Sequence, residues 1–284
     1  MNAIELKNVS KSFGDFAISD LTFALPGGTI CGLVGENGAG KSTTIRLLMG
    51  ALRPDSGAIS VLGADPASPA FRDTKEHIGV VLDDTFFPGC MDARLIGRLM
   101  CETYKNWDQA AYENYLTRFA LPEKKRFQDY SRGMRMKLGI AVALSHHTQL
   151  LVLDEPTAGL DPIIRDEVIE IFREFALEGE DRSVLVSSHI LSDLEKLCDT
   201  IAFLHQGKLL FWEEKDCLLE SCGVFLGTAA QAAELDEAAV IGREDCGLGG
   251  VRMLVKRSLV PAAIPLEKPT VEDVILFTVK GAKR

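Results

Sequence analysis

One octapeptide restricts this chain more than any other feature. Gly35-Glu36-Asn37-Gly38-Ala39-Gly40-Lys41-Ser42 fits the pattern G-x-x-x-x-G-K-[ST]. An apolar run, Ile30–Val34, precedes it. A helical pattern follows, with Ile45, Leu48, Met49 and Leu52 at i, i+3, i+4 and i+7. Three glycines let the backbone curl until its N–H groups converge on one anion, and a helix starting near Lys41 adds the positive end of its dipole. In such a loop Lys41 neutralises the β- and γ-phosphates of a nucleotide, and the Ser42 hydroxyl ligates Mg²⁺, a hard ion that prefers oxygen. Gly35, Asn37, Gly38, Ala39, Gly40, Lys41, Ser42 and Thr43 are therefore the candidate phosphate contacts.

A second motif complements the first. Leu150-Leu151-Val152-Leu153 reads as a buried strand and ends in Asp154-Glu155. In an open parallel sheet, ligands sit beyond the carboxyl ends of the strands, so both acids should emerge at the edge that carries the phosphate loop. Asp154 can then bind Mg²⁺ directly or through water. Glu155, pointing the other way, can orient and deprotonate an attacking water.

The rest of the chain supplies a frame for these motifs. Compact runs at residues 29–34, 78–82, 150–153, 184–187 and 201–204 suit strands buried on both faces of a parallel sheet. Between them lie amphipathic patterns, such as Tyr112, Tyr115, Leu116 and Phe119, or Ile164, Val168, Ile171, Phe172 and Phe175. Strand and helix in alternation predict an α/β domain. Residues 83–147 show no strand pattern and read as a helical insertion. Beyond Trp212 the character changes. Residues 229–239 are rich in Ala and Glu, 247–250 form a turn, 251–256 alternate as a strand, and Pro261, Pro265 and Pro269 punctuate the end. The expected division is a nucleotide-binding domain over 1–213, with its helical subdomain at about 83–147, and a small α+β accessory region over 214–284.

Composition narrows the function. Asp plus Glu outnumber Lys plus Arg by 41 to 31, a formal charge of −10, which argues against general binding to nucleic acid. No run of about 18 apolar residues is present, so nothing spans a bilayer unaided. The start, Met1-Asn2-Ala3-Ile4-Glu5-Leu6-Lys7, lacks the basic and apolar segments of a secretory signal. The seven cysteines are scattered and form no C-x-x-C pair, which fits thiols in a reducing compartment better than a disulfide scaffold or zinc site.

Three further segments, in order, resemble the ATP-binding subunit of ABC transporters. Tyr130-Ser131-Arg132-Gly133-Met134 is similar to the family signature, usually Leu-Ser-Gly-Gly-Gln. Pro156-Thr157-Ala158-Gly159-Leu160-Asp161 resembles the loop after the catalytic glutamate, and Ser187-Ser188-His189 resembles the segment of the switch histidine. The resemblance covers residues 4 to about 212. It implies a P-loop NTPase core with an antiparallel β edge region. It further implies two such domains closing head to tail, with two ATP molecules held between one chain's phosphate loop and the other's signature. Ser131 is suited to cap a helix whose N-terminus faces the partner's γ-phosphate, and Gly133 allows close approach. Glu155 and His189 would be the catalytic pair, with Ser131, Arg132, Gly133 and Asp161 as nucleotide contacts.

The departures from the family pattern are as informative. Arg132 stands where the first signature glycine is usual; it either adds charge at the phosphate or is simply solvated. Met134 replaces glutamine. Asp83 occupies the place of a glutamine that usually helps to hold Mg²⁺, with Asp84 beside it. Phe13, in Lys11-Ser12-Phe13-Gly14, replaces the usual tyrosine but keeps the π-face that stacks on adenine.

The same resemblance implies a separate integral membrane permease, a second copy of the chain or a related ATPase, and a place on the inner face of the cell membrane. Phe86, Phe87, Pro88 and Met91 are candidate permease contacts, with local packing as the competing reading. The signature variant leans towards export. Two alternatives remain: a soluble ABC-type ATPase acting on ribosomes or nucleic acid, and a nucleotide sensor without hydrolysis.

Overall fold

The computed structural model describes residues 1–82, 87–179, 181–247 and 249–282. Among the described residues twelve strands form three sheets: β1 (Asn2–Phe13), β2 (Phe16–Pro26), β3 (Ile30–Val34), β4 (Ser56–Val61), β5 (Ile78–Val81), β6 (Leu150–Asp154), β7 (Ser183–Ser188), β8 (Thr200–His205), β9 (Lys208–Glu214), β10 (Cys222–Thr228), β11 (Val240–Asp245) and β12 (Gly250–Lys256). The helices are α1 (Lys41–Leu48), α2 (Phe71–Thr74), α3 (Ala93–Thr103), α4 (Gln109–Arg118), α5 (Arg132–Leu144), α6 (Pro162–Leu177), α7 (Leu191–Leu197), α8 (Lys215–Ser221), α9 (Ala229–Ala232) and α10 (Val271–Ala282).

The central sheet runs β5-β6-β7-β3-β8-β9. Its first five strands are parallel and β9 closes it antiparallel to β8. Every residue of β3, β6 and β7 is buried, as continuous apolar runs demand of strands covered on both faces. Alternation then divides the strands between two cores. Val34, Leu153 and Val186 face α5, α6 and α7. Leu33, Val152 and Leu185 face α1 and the β1–β2 hairpin.

That hairpin belongs to a second, antiparallel sheet, β2-β1-β4. Register shifts at Leu6/Val9 and Val9/Lys11 bend β1 and break its period of two. The helical insertion is α3, α4 and α5. It is pinned where the fully buried Tyr112 donates its hydroxyl to the Ala93 carbonyl at 2.8 Å. Phe87 lies edge-on to Phe127 at 5.6 Å and Met91 packs on the same core, so local packing accounts for both.

The third sheet, β10-β12-β11, lies in the segment after β9. Helix α10 covers one face with Val271, Val274 and Phe277. Phe225, Met253, Val255 and Leu235 cover the other. Ile275 and Val279 of α10 also pack on the core that holds β3 and β8, so this helix belongs to two cores at once. Its start is fixed by a reciprocal cap: Asp273 N–H donates to Thr270 Oγ1, and Thr270 N–H to Asp273 Oδ2, each at 3.1 Å. Among the described residues no helix is long and apolar enough to cross a membrane.

Candidate active site

The phosphate loop leaves β3 at the carboxyl edge of the central sheet and turns into α1. Two glycines are obligatory for its path. A Cβ on Gly35 would lie 2.5 Å from the Leu204 carbonyl oxygen, and Gly40 sits at φ +115 just before Lys41. Ala39 N–H donates to Glu36 O at 3.0 Å and Gly207 N–H to Ala39 O at 3.0 Å, so the loop is fixed without a ligand. Asn37, Gly38 and Ser42 are exposed, Thr43 is half-buried, and Ala39 and Lys41 are buried. Lys41 Nζ donates to the Gly35 carbonyl at 2.7 Å, which curls it over the loop.

The acids stand at the same edge, two strands away, with β7 between. Ser187 Oγ, at the end of β7, donates to Asp154 Oδ1 and accepts the Glu155 N–H at 3.2 Å, tying both to β7. Glu155 leaves the strand at φ +52, a left-handed conformation unusual for a residue with a side chain. That turn swings its carboxylate away from Asp154 and between two partners. Oε1 lies 3.2 Å from Lys41 Nζ, and Oε2 lies 2.7 Å from His189 Nδ1 and accepts the His189 N–H at 3.3 Å. His189 is half exposed, so its ring is aimed by Glu155 and open to a ligand. Lys41, Glu155 and His189 thus form one connected set, and the Lys41–Glu155 contact is not legible from motif spacing.

The remaining predicted residues separate into groups. Ser131 caps α5, accepting the Met134 N–H at 3.3 Å; Asp161 caps α6, accepting the Ile164 N–H at 3.1 Å. Arg132 and Gly133 lie against the 156–164 segment of their own chain. Phe13 is 41% exposed near the tip of the hairpin, with Lys11 Nζ 5.6 Å from its ring centre, so it is not a core residue. Asp83, Asp84 and Phe86 lie outside the described residues. Beyond the signature, Arg135 donates to Gln128 O at 2.7 Å and Lys137 to Glu167 at 2.7 Å.

The donor set suits a hard cation. Ser42 and Asp154 offer oxygens only, and the described residues contain no group of three or more metal-binding side chains. A cation here would complete its shell with phosphate oxygens and water, the habit of Mg²⁺.

A glycine-cradled anion site beside a carboxylate–histidine pair, at the edge of a mostly parallel sheet, defines a P-loop nucleotide hydrolase. Comparison gives the particular family. The family model described as ABC transporter matches residues 18–158. The uncharacterized ABC transporter ATP-binding protein YhcH of Bacillus subtilis is 32% identical over 93% of this chain and 87% of its own length. The bacitracin transport ATP-binding protein BcrA of Bacillus licheniformis is 37% identical over 73% of this chain and 68% of its own. A solved ATP-binding subunit of an ABC transporter superposes with a TM-score of 0.69 at 28% identity, covering 77% of this chain and 92% of that one. This chain belongs to the ABC transporter ATP-binding proteins, and its activity is ATP hydrolysis.

Proposed function

We propose that this chain is the ATPase of a transporter whose permease is a separate protein, and that it works as a head-to-tail dimer around two MgATP. The observation that carries the catalytic part is the contact of Glu155 with both Lys41 and His189. In this reading residues 35–43 hold the phosphates and Phe13 stacks on the adenine. Ser42 and Asp154 hold Mg²⁺, with Asp83 in the place of the usual glutamine. Ser131, Gly133 and Asp161 meet the partner's nucleotide. When bound, Mg²⁺ neutralises phosphate charge.

Catalysis then follows from the chain's own groups. Incoming phosphate oxygens draw Lys41 from Glu155. The freed carboxylate accepts a proton from a water aligned with the γ-phosphorus, and His189 holds the carboxylate in place. Spent phosphate weakens the dimer contacts, and reopening drives the permease.

A cavity of about 230 Å³ between α1 and the helical insertion is lined by Ile45, Met49, Val80, Leu82 and Tyr104. Val80 and Leu82 are exposed there, which supports this groove, rather than Phe87 and Met91, as the permease contact. The lean towards export is supported by the Nod factor export ATP-binding protein I of Sinorhizobium fredii, 37% identical over 72% of this chain and 61% of its own length. We place the chain on the inner face of the membrane. Residues 1–213 are read as the ATPase unit and 214–284 as an accessory module.

Glu155→Gln tests the core of this reading. It should keep ATP binding, lose turnover by about 10²–10⁴-fold, and run as an ATP-dependent dimer on size exclusion. Unchanged turnover removes Glu155 as the base. Recovery of ribosomes instead of a multi-span protein on pull-down from native membranes would favour the soluble ATPase.

A further inference from the structure

Arg132 occupies a signature position that is usually glycine, and its surroundings give it a task other than touching nucleotide. Its guanidinium lies over Gly159. A Cβ built on Gly159 would stand 2.7 Å from Nη1, 3.1 Å from Cζ and 3.4 Å from Nε of Arg132. These distances place the end of the Arg132 side chain directly beside Gly159. A side chain at residue 159 would displace the guanidinium from this place, and Gly159 sits at φ +69, where glycine is conformationally favoured.

The segment under Arg132 is stiff. Ala158 N–H donates to Glu155 O at 3.2 Å and Leu160 N–H to Thr157 O at 3.2 Å, so two turns join Glu155 to Leu160. Pro156, Thr157 and Leu160 are buried. Asp161 then caps α6. On the other side Arg132 is the first residue of α5, one position after the cap Ser131. Gly133 adds ordinary packing, its Cβ position 3.5 Å from Ile164 Cγ2 and 3.8 Å from Leu160 Cδ2. The N-terminus of α5 and the loop bearing Glu155 and Asp161 are therefore in contact through Arg132 at Gly159 and through Gly133 at Leu160 and Ile164.

We propose that Arg132 is a positioning residue whose guanidinium braces Gly159, coupling the signature turn to the loop that aims Glu155. This rests on the head-to-tail dimer, in which the signature turn meets one nucleotide while Glu155 serves the other. Loading of the partner's site then presses, through Arg132, on the base of this chain's own site. A lysine cannot replace it, because an ammonium has no plane to lay on the backbone.

A double-mutant cycle in the full-length chain tests the brace, reading turnover, half-saturating ATP and the Hill coefficient. Arg132→Lys and Arg132→Gly should each lower turnover about tenfold and bring the Hill coefficient towards one, with half-saturating ATP unchanged within about twofold. Gly159→Ala should cost about tenfold beside Arg132 but less than about threefold in the Arg132→Gly background; backbone strain at residue 159 is common to both and cancels. Full activity in Arg132→Lys, a rise in half-saturating ATP without loss of turnover, or additive costs would each overturn the brace, the second in favour of direct phosphate contact. ATP-dependent dimerisation of Glu155→Gln is measured alongside. If that dimer forms and the cycle is additive, the brace alone falls. If no dimer forms, the head-to-tail reading falls and the coupling falls with it.

Discussion

Ser187 serves both acids with one hydroxyl, donating to Asp154 and accepting from the Glu155 N–H. Loss of such an outer partner costs a metal ligand about 10–100-fold in affinity. Ser187→Ala should therefore raise the Mg²⁺ concentration for half-maximal ATPase by about that factor, with the fold intact by circular dichroism. An unchanged Mg²⁺ requirement would separate Asp154 from the metal. Much of the site at this scale was legible beforehand. Lys41, Asp154, Glu155 and His189 each follow a buried apolar run, and parallel strands deliver their ends to one edge. What spacing could not reveal were contacts between motifs: Lys41 with Glu155 and Arg132 with Gly159 depend on rotamers and on one left-handed backbone angle.

At the level of elements, the helical insertion turns on Gly97. A Cβ there would meet the Tyr112 ring at 2.6 Å, and Tyr112 is fully buried with its hydroxyl committed to Ala93. Overpacking of this kind costs about 1–3 kcal/mol, so Gly97→Ala should lower the melting temperature by about 2–4 °C for each kcal/mol. A variant that melts like the parent would show that α3 and α4 can slide apart freely. Behind α5, His146 is fully buried, stacked on Tyr104 at 4.0 Å, with Nδ1 3.0 Å from Glu76 O. Burial lowers its pKa more than that hydrogen bond raises it. The unfolded chain then binds the proton more readily. The stabilisation is complete above the unfolded value of about 6.5 and is lost as pH falls below it towards the folded pKa. Urea unfolding at pH 7.5 and 5.5 should show this loss, and His146→Phe should shrink it; an equal loss would assign the acid sensitivity elsewhere.

Over the whole molecule, α10 binds the accessory sheet to the ATPase core. Phe277 is fully buried beneath that sheet, while Ile275 and Val279 reach the core around β3 and β8. Phe277→Ala should cost about 3–5 kcal/mol, and calorimetry should still show one transition at a lower temperature. Two separate transitions would mean that the accessory module unfolds alone. Pro265 and Pro269 mask the start of this helix in the sequence. The signal was present in Thr270-Val271-Glu272-Asp273, a capping pattern ahead of a periodic apolar run. The hairpin β1–β2 was harder to read, since its bulges erase the alternation by which strands are recognised. The parallel sheet announced itself because burial on both faces fills its strands with compact apolar runs.

The contact of Lys41 with Glu155 has a consequence for an enzyme that waits between substrates. One ammonium faces two claimants, its own carboxylate and an arriving triphosphate. With Glu155 as the proposed base, the cation that steadies the base is the one a triphosphate would capture, so the substrate itself would release the group proposed to act on it.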